Sequence, residues 1–464
     1  MAEDAPASSK SAPPPLPAGR YQGWAQPPVT GDDGELTRTG RGTPAGEYLR
    51  RFWQPVALSE DVGELPVALR ILGEDLVLFR DRSGRIGLLH RYCSHRGASL
   101  EFGIVGERGI RCCYHGWKYD VDGTILETPA LPAEVRIAEK IAHGAYPAIE
   151  CFGLVFAYMG PPGTMPPFPQ LDAFTWPQDN EMRAYKLHFP CNWLQVHENG
   201  ADPMHVPFVH ALISEVQFTE MMGALPVVDN AETPVGFLSL ATRRWGGMLY
   251  VRANDVILPN MAQFGTPFVR GDAEKFALCA GITRWVVPVD DASNLTFGIR
   301  HFNTLIDPHG EGRRDLIGAF RTDGFGQTSD RPYEERQRNP GDWDAQGYQR
   351  PVALHGNEHL VAHDSGVVML RRQLREGIRA VAAGRQPAQP RLYAGDTVVP
   401  TYVAEIVKAG ARDAPLAEQQ RALYRFGREV AQSLLDTQHL PPEARQQGVE
   451  SRLRAMDTEG LYRP

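Results

Sequence analysis

The sequence predicts an α+β protein: an all-β N-terminal domain, then a C-terminal domain built on an antiparallel sheet with helices packed against it. Three observations carry this prediction. Short β-compatible runs surround two Cys/His loops between residues 68 and 125, and a Gly/Pro-rich break follows at 160–169. A second pair of strand-like runs, 276–289 and 294–302, then precedes two helical stripes. With 464 residues and 42% apolar side chains, the chain can fill two cores.

Residues 1–35 read as an extended or disordered tail, since 1–20 are rich in Ala, Pro and Ser and lack the apolar run of a signal peptide. Thr43 to Trp53 reads as a short helix that ends at Pro55. Leu76–Phe79 and Ile86–Leu89 form a hairpin around the polar turn Asp81–Gly84, and Asp122-Gly123 lies between β-compatible residues, a second hairpin signal. The first domain then spans 36–160, closed by Gly160-Pro161-Pro162-Gly163 and Pro166–Pro169, and the second spans 161–390. In the second, Asp290–Ser293 turns one strand back on the other. Val367, Leu370, Leu374, Ile378 and Val381 recur at helical spacing up to a stop at Gly384. Leu423, Phe426, Val430 and Leu434 repeat the signal in a helical extension, 391–464; both stripes are core-facing.

Composition excludes several classes. A net charge of −8 and the lack of any Lys/Arg stripe argue against a nucleic-acid partner. The densest apolar run, 149–159, is about half of the roughly 20 residues needed to cross a bilayer. Six Cys are too few for a disulfide framework and suit a reducing cytoplasm.

The most specific stretch is Cys93-Ser94-His95, followed after sixteen residues by Cys112-Cys113-Tyr114-His115. Two sulfur and two nitrogen donors can hold zinc, but zinc fingers usually pair Cys with Cys and His with His. Here each loop supplies one of each. A [2Fe–2S] cluster with two unlike irons requires that, with thiolates on one iron and imidazoles on the other. Cys113 is a spare thiol beside this set, and Cys112 is the expected ligand.

A second loaded stretch places Asn192, Gln195, Asn199, Asp202 and His205 at steps of three and four, with His210 five residues on. Pro203 and Pro207 interrupt the helix, which lets both imidazoles turn toward one ion. Asp202, just before Pro203, can equally cap a turn.

With their flanks, these stretches resemble a known family. Arg91-Tyr92, Arg96–Leu100, Gly116–Asp120, Glu198-Asn199-x-x-Asp202-x-x-His205, Leu36-Thr37-Arg38, Arg51–Val56 and Trp285–Asp291 are similar to α (terminal oxygenase) subunits of Rieske non-haem iron ring-hydroxylating oxygenases. The likeness leans toward the phthalate- and phenoxybenzoate-dioxygenase-like group and runs from about 36 to 384. It implies a Rieske [2Fe–2S] domain joined to a helix-grip (START-like) antiparallel-sheet catalytic domain. Cys93, His95, Cys112 and His115 would hold the cluster. His205, His210 and a downstream carboxylate would hold a mononuclear Fe(II) that uses O₂ as co-substrate. The family pattern of an Asp sixteen residues before Glu-His-Leu, opening D-x-x-x-Q, matches Asp342–Gln346 ahead of Glu358-His359-Leu360, so Asp342 takes the third position. Asp344 and Asp364 are the alternatives, and Gly341 and Gly347 depart from the Gln and Glu often found there.

The resemblance also implies a homotrimer in which Asp202 bridges His115 of the partner subunit to His205, with Asn199 in the catalytic set. The chain has no G-x-G-x-x-G dinucleotide fingerprint and no plant-type ferredoxin motif, so NAD(P)H oxidation is expected in a separate flavin and iron–sulfur reductase. The expected reaction is hydroxylation of an aromatic carboxylate or aryl ether, with O- or N-demethylation as the alternative. Arg243 and Arg244 are candidate carboxylate anchors, although an Arg pair on a strand more often faces solvent. The rival classes, a cluster-only electron carrier and a zinc-stabilised binding protein, differ from this reading in colour, EPR signal and iron content.

Overall fold

A computed structural model describes residues 19–20, 22–23, 31–129, 131–132, 135, 137–212, 218–266, 268–318, 331–389 and 398–463. Most of the expected N-terminal tail lies outside the described residues. The helix expected from Thr43 runs Pro44–Leu49, with the Thr43 hydroxyl accepting the Gly46 N–H and Pro44 in the first turn, where a missing N–H costs nothing. It stops well before the expected end at Pro55. Pro55 lies instead inside the strand Trp53–Leu58, which among the described residues pairs only with Leu154–Tyr158 and shifts register between Pro55 and Ala57. An edge strand with a register shift is where a residue without a ladder donor is tolerated.

Two four-stranded sheets carry the Cys/His loops. One orders Val67–Ile71, Glu74–Arg80, Ile86–His90 and Ala145–Tyr146; the other orders Ile104–Val105, Ile110–Arg111, Lys118–Tyr119 and Ile125–Glu127. The Asp122-Gly123 turn joins the last two strands, with Gly123 at φ +83°, a conformation that favours glycine. Val77, Phe79, Leu89, Leu100, Ile110 and Ile125 form the core between the sheets, and Cys93 and Cys112 are part of it.

The Pro-rich break is packed rather than loose. Trp53 Nε1 donates to the Pro166 carbonyl, and Phe168 meets the rings of both Trp53 and Phe156. One large apolar cluster runs from Leu58 and Phe156 through to Trp285 and Val287, so the two halves share a core.

The second half centres on an antiparallel sheet. Its strands run in the order Glu181–Phe189, Ser293–Phe302, Ile282–Asp290, Met261–Phe264, Met248–Ile257, Gly236–Trp245 and Val227–Thr233. The hairpin expected at Asp290–Ser293 joins the second and third of these. Beyond residue 390 the chain supplies sheet as well as helix: Ala404–Ala409 pairs with Met248–Ile257 and Lys275–Ala277. Its buried run, alternating little in polarity, belongs to a strand covered on both faces. Helix Ser365–Ala382 buries Val367, Leu370, Leu374 and Ile378, and Gly384 ends it at φ +73°. Helix Leu416–Asp436 buries Leu423, Phe426, Val430 and Leu434 against the sheet. Among the described residues no helix is long and apolar enough to cross a membrane.

Candidate active site

The two Cys/His loops are built alike. In the first, Gly97 N–H donates to the Cys93 carbonyl and Cys93 N–H to Ala98; in the second, Gly116 N–H donates to Cys112 and Cys112 N–H to Trp117. Gly97 and Gly116 both take φ near +75°, so each chain reverses four residues after its cysteine. This pairing sorts the donors by depth. Cys93 and Cys112 are buried, whereas His95 and His115 face outward, their rings 4.6 Å apart and nearly perpendicular, with His95 stacked on Trp117. The donor set fits a [2Fe–2S] group with its thiolate iron inside and its imidazole iron at the surface. Cys113 is exposed.

The broken helix predicted around Pro203 and Pro207 is present. Helix Trp193–Glu198, capped by the Asn192 side chain, gives way to a tight turn at Asn199–Ala201, a single turn at His205–Pro207 and a π turn at Phe208–Leu212. Asn192 and Gln195, on the polar face, are used structurally: Asn192 donates to Thr37 and Asp291 carbonyls, and Gln195 donates to the Gln346 and Arg350 carbonyls and accepts from Ala353 N–H.

His205, His210 and Asp342 converge, with one ligand atom from each lying within 4.8 Å of the other two. Asp342 Oδ2 is 3.4 Å from His210 Nε2, and Oδ1 is 3.7 Å from His205 Nε2. His205 Nδ1 donates to the Asp202 carbonyl, which fixes the tautomer and turns the Nε2 lone pair toward Asp342. Burial alone would raise the Asp342 pKa, but His210 and His205, with Arg284 behind them, hold it well below the usual carboxylate range. Two imidazoles and one carboxylate are the facial set of a non-haem Fe(II) with open positions. Asp344 and Asp364 are engaged elsewhere: Asp344 receives Arg331, Arg336 and the Gly341 N–H, and Asp364 receives the Val361 N–H.

Asn199 reaches into the same space. Its Nδ2 is 3.0 Å from His205 Nε2 and 3.4 Å from Asp342 Oδ1, while Arg284 donates to its Oδ1 at 3.1 Å. Asp202 serves two neighbours: Oδ1 accepts the Met204 N–H, as in a turn cap, and Oδ2 lies 3.8 Å from His205 Nδ1.

A cleft opens over the triad, enclosing about 720 Å³ including its mouth. Phe218, Met222, Phe264 and Ile282 supply its apolar wall, and Arg252, Asn254 and Arg284 its polar one. Arg243 and Arg244 are not in this lining, which corrects their assignment as substrate anchors. Arg243 is fully buried, donating through Nε to the Ala224 carbonyl and lying beside the Tyr250 ring; Arg244 pairs with exposed Asp413 at the surface. The cations in the cleft are Arg252 and Arg284, which sequence reasoning missed. The available signal was alternation: Arg252/Asn254 and Ile282/Arg284 each sit two apart on a strand and share one face.

Comparison with known proteins identifies the family. The Rieske [2Fe-2S] domain family matches residues 52–151. The chain is 45% identical over 389 residues to the tert-butanol monooxygenase / tert-amyl alcohol desaturase oxygenase subunit of Aquincola tertiaricarbonis, covering 80% of this chain and 82% of that protein. It is 38% identical over 403 residues to the phenoxybenzoate dioxygenase subunit alpha of Ectopseudomonas oleovorans, covering 83% and 94%. The crystal structure of dicamba monooxygenase bound to 3,6-dichlorosalicylic acid shares the fold, with a TM-score of 0.55 at 19% identity over 72% of this chain and 99% of that one. The chain belongs to the Rieske non-haem iron oxygenases. Within them it is an oxygenase subunit, an oxidoreductase whose cofactors are a Rieske [2Fe–2S] cluster and a mononuclear iron.

Proposed function

We propose that this subunit is the terminal oxygenase of a cytoplasmic multicomponent system that hydroxylates an aromatic carboxylate or aryl ether, with electrons from a separate flavin and iron–sulfur reductase. The observation that carries the reading is the cleft: a His₂Asp set at its base, aromatic and aliphatic side chains on one wall and hydrogen-bonding groups on the other. Such a lining suits a flat, largely apolar molecule held by one polar group.

In this reading Cys93 and Cys112 hold the inner iron of the cluster, His95 and His115 the outer one, and His205, His210 and Asp342 the mononuclear iron. When bound, the cluster supplies electrons one at a time and the mononuclear iron activates O₂. The chain's own part is placement. The Asp202 carbonyl orients His205, and Asn199, itself held by Arg284, stands over the two ligand atoms that face the cleft. Phe218, Met222 and Phe264 limit water around the reacting part of the substrate.

The working pair of metals forms between copies in a homotrimer, with the Asp202 carboxylate between His115 of the partner subunit and His205. Exposed apolar side chains support this docking at both ends: Tyr92, Phe102 and Tyr114 beside the cluster loops, and Leu360, which lines the same hollow as Asp202.

A second reading is favoured by the relative at 45% identity, whose name specifies tertiary alcohols: hydroxylation or desaturation of a small branched alcohol. Removal of an O- or N-methyl group is a further outcome of the same chemistry. Turnover with labelled O₂, a reductase and a panel of aromatic acids, aryl ethers, methyl ethers and branched alcohols separates them. Labelled product from an aromatic acid or aryl ether is expected; product from branched alcohols alone sinks the first reading.

A further inference from the structure

A second histidine system lies under the first Cys/His loop, outside the ligand motif. His143 is buried, and both its ring nitrogens are bonded: Nδ1 is 2.7 Å from the Ser94 hydroxyl and Nε2 is 2.8 Å from the His90 carbonyl. A carbonyl only accepts, so Nε2 carries the proton, Nδ1 accepts, and Ser94 O–H donates to it. Burial keeps the ring neutral, consistent with that single-proton arrangement. The imidazole face rests on Tyr119, centroids 4.4 Å apart, and the Tyr119 hydroxyl is 2.9 Å from Cys93 Sγ. A ligating thiolate has no proton to give, so Tyr119 is the donor to sulfur.

The backbone around this ring is tightly seated. His143 N–H donates to the Gly123 carbonyl and His90 N–H to Gly144. A Cβ on Gly144 would fall 2.1 Å from His90 Nδ1, so no larger residue fits there without moving the His90 ring. One imidazole is therefore clamped between the strand before the loop, the loop residue Ser94 and the tyrosine that bonds the cysteine.

We propose that His143 is a positioning residue that tunes the reduction potential of the cluster from outside its ligand set, by fixing the Tyr119 hydroxyl on Cys93 Sγ. Hydrogen bonds to cluster sulfurs raise the potential by stabilising the more negative reduced state. Loss of the ring under Tyr119 weakens that bond and makes the cluster harder to reduce. The inference rests on Cys93 being a cluster ligand.

The test is a spectroscopic redox titration of the full-length protein with its cluster in place. His143→Ala should lower the midpoint potential by a threefold to tenfold change in the one-electron equilibrium, about 28 to 59 mV at ~59 mV per tenfold, at unchanged iron and sulfide content. His143→Gln, which refills most of the volume and offers an amide donor to His90 but no ring to Tyr119, should lower it too and covers the case in which the alanine variant fails to fold. Tyr119→Phe should lower it at least as far, and adding His143→Gln to Tyr119→Phe should add less than half of its separate effect. An unchanged or raised potential in both His143 variants overturns the proposal, as does full additivity with Tyr119→Phe. Cys93→Ala separates the two levels: loss of the cluster upholds the ligand assignment beneath the proposal, and a retained cluster refutes that assignment and the proposal with it.

Discussion

Asn199 Nδ2 lies 3.0 Å from Nε2 of His205, on the lone pair that a metal ion would take. The amide thus shares one small space with His210 and Asp342, and Arg284 keeps it there. Removing a metal ligand and removing this neighbour should have different consequences. Asp342→Ala should lose the mononuclear iron and retain the cluster spectrum, read by iron analysis beside visible absorption. Asn199→Ala should keep both metals and lose 10–100-fold in turnover, the range found when groups supporting a metal site are removed. Full iron occupancy in Asp342→Ala would return the third position to another carboxylate.

Arg371 joins two carboxylates behind the site. It donates to Glu198 at 2.5 and 3.0 Å and to Glu358 at 2.5 and 3.0 Å, tying helix Ser365–Ala382 to the helix that leads into Asn199. Burial pushes the Glu198 carboxyl up even with this cation beside it. Arg371→Met leaves two carboxylates facing each other and should cost about 3 kcal/mol, the low end for breaking a buried pair because Glu358 is partly exposed. Chemical denaturation reads this directly. A stability within about 0.5 kcal/mol of the parent, the spread usual for exposed substitutions, shows the triad to be dispensable.

Asp255 offers a pH test of the fold. It is fully buried, one oxygen accepts the Tyr402 N–H, and burial with the nearby charge of Asp172 raises its pKa to about 7. An acid whose folded pKa lies above its unfolded value, about 3.9, contributes stability that is complete below the unfolded value. That stability is lost as pH rises through about 7. Asp255→Asn cannot ionise, so its melting temperature relative to the parent should climb between pH 5 and 8. A difference that stays flat across that range contradicts the buried, protonated state.

The corrected cation assignment is tested by contrast. Arg252 lines the cleft, bonded to Asn254 at 3.3 Å and paired with buried Glu405 at 3.0 Å, whereas Arg244 lies at the surface with Asp413. Arg252→Ala should reduce kcat/KM at least tenfold, and Arg244→Ala should leave it within twofold, on the scale of ~1.4 kcal/mol per factor of ten. The reverse order restores the anchor on the outer pair.

The chain order made the cluster loops and the His pair legible because their ligands are local in sequence and the spacing itself is chemical. Asp342 was legible through resemblance, and its separation from Asp344 became physical only when Arg331 and Arg336 were seen to claim the latter. Pro55 misled because a proline reads as a helix stop unless the edge-strand pairing is known. The cleft cations stayed hidden for a different reason. Arg243, Arg244, Arg252 and Arg284 all sit on strands, and only the pairing of Met248–Ile257 with the late strand Ala404–Ala409, which brings Glu405 opposite Arg252, shows which face turns inward. His143 carries no motif at all; its role arises from a contact 49 residues away, with Ser94.

In the proposed trimer, electrons pass from the cluster of one copy to the mononuclear iron of the next through Asp202, whose carboxylate lies 3.8 Å from His205 Nδ1 with its side chain partly open to solvent. Asp202→Asn keeps the size and the turn geometry but removes the charge. Stopped-flow single turnover, following oxidation of the reduced cluster in the presence of substrate and O₂, measures that passage directly. Asp202→Asn should leave both metals at parental occupancy and the trimer intact and slow cluster oxidation 10–100-fold; cluster oxidation at the parental rate would rule out the Asp202 bridge.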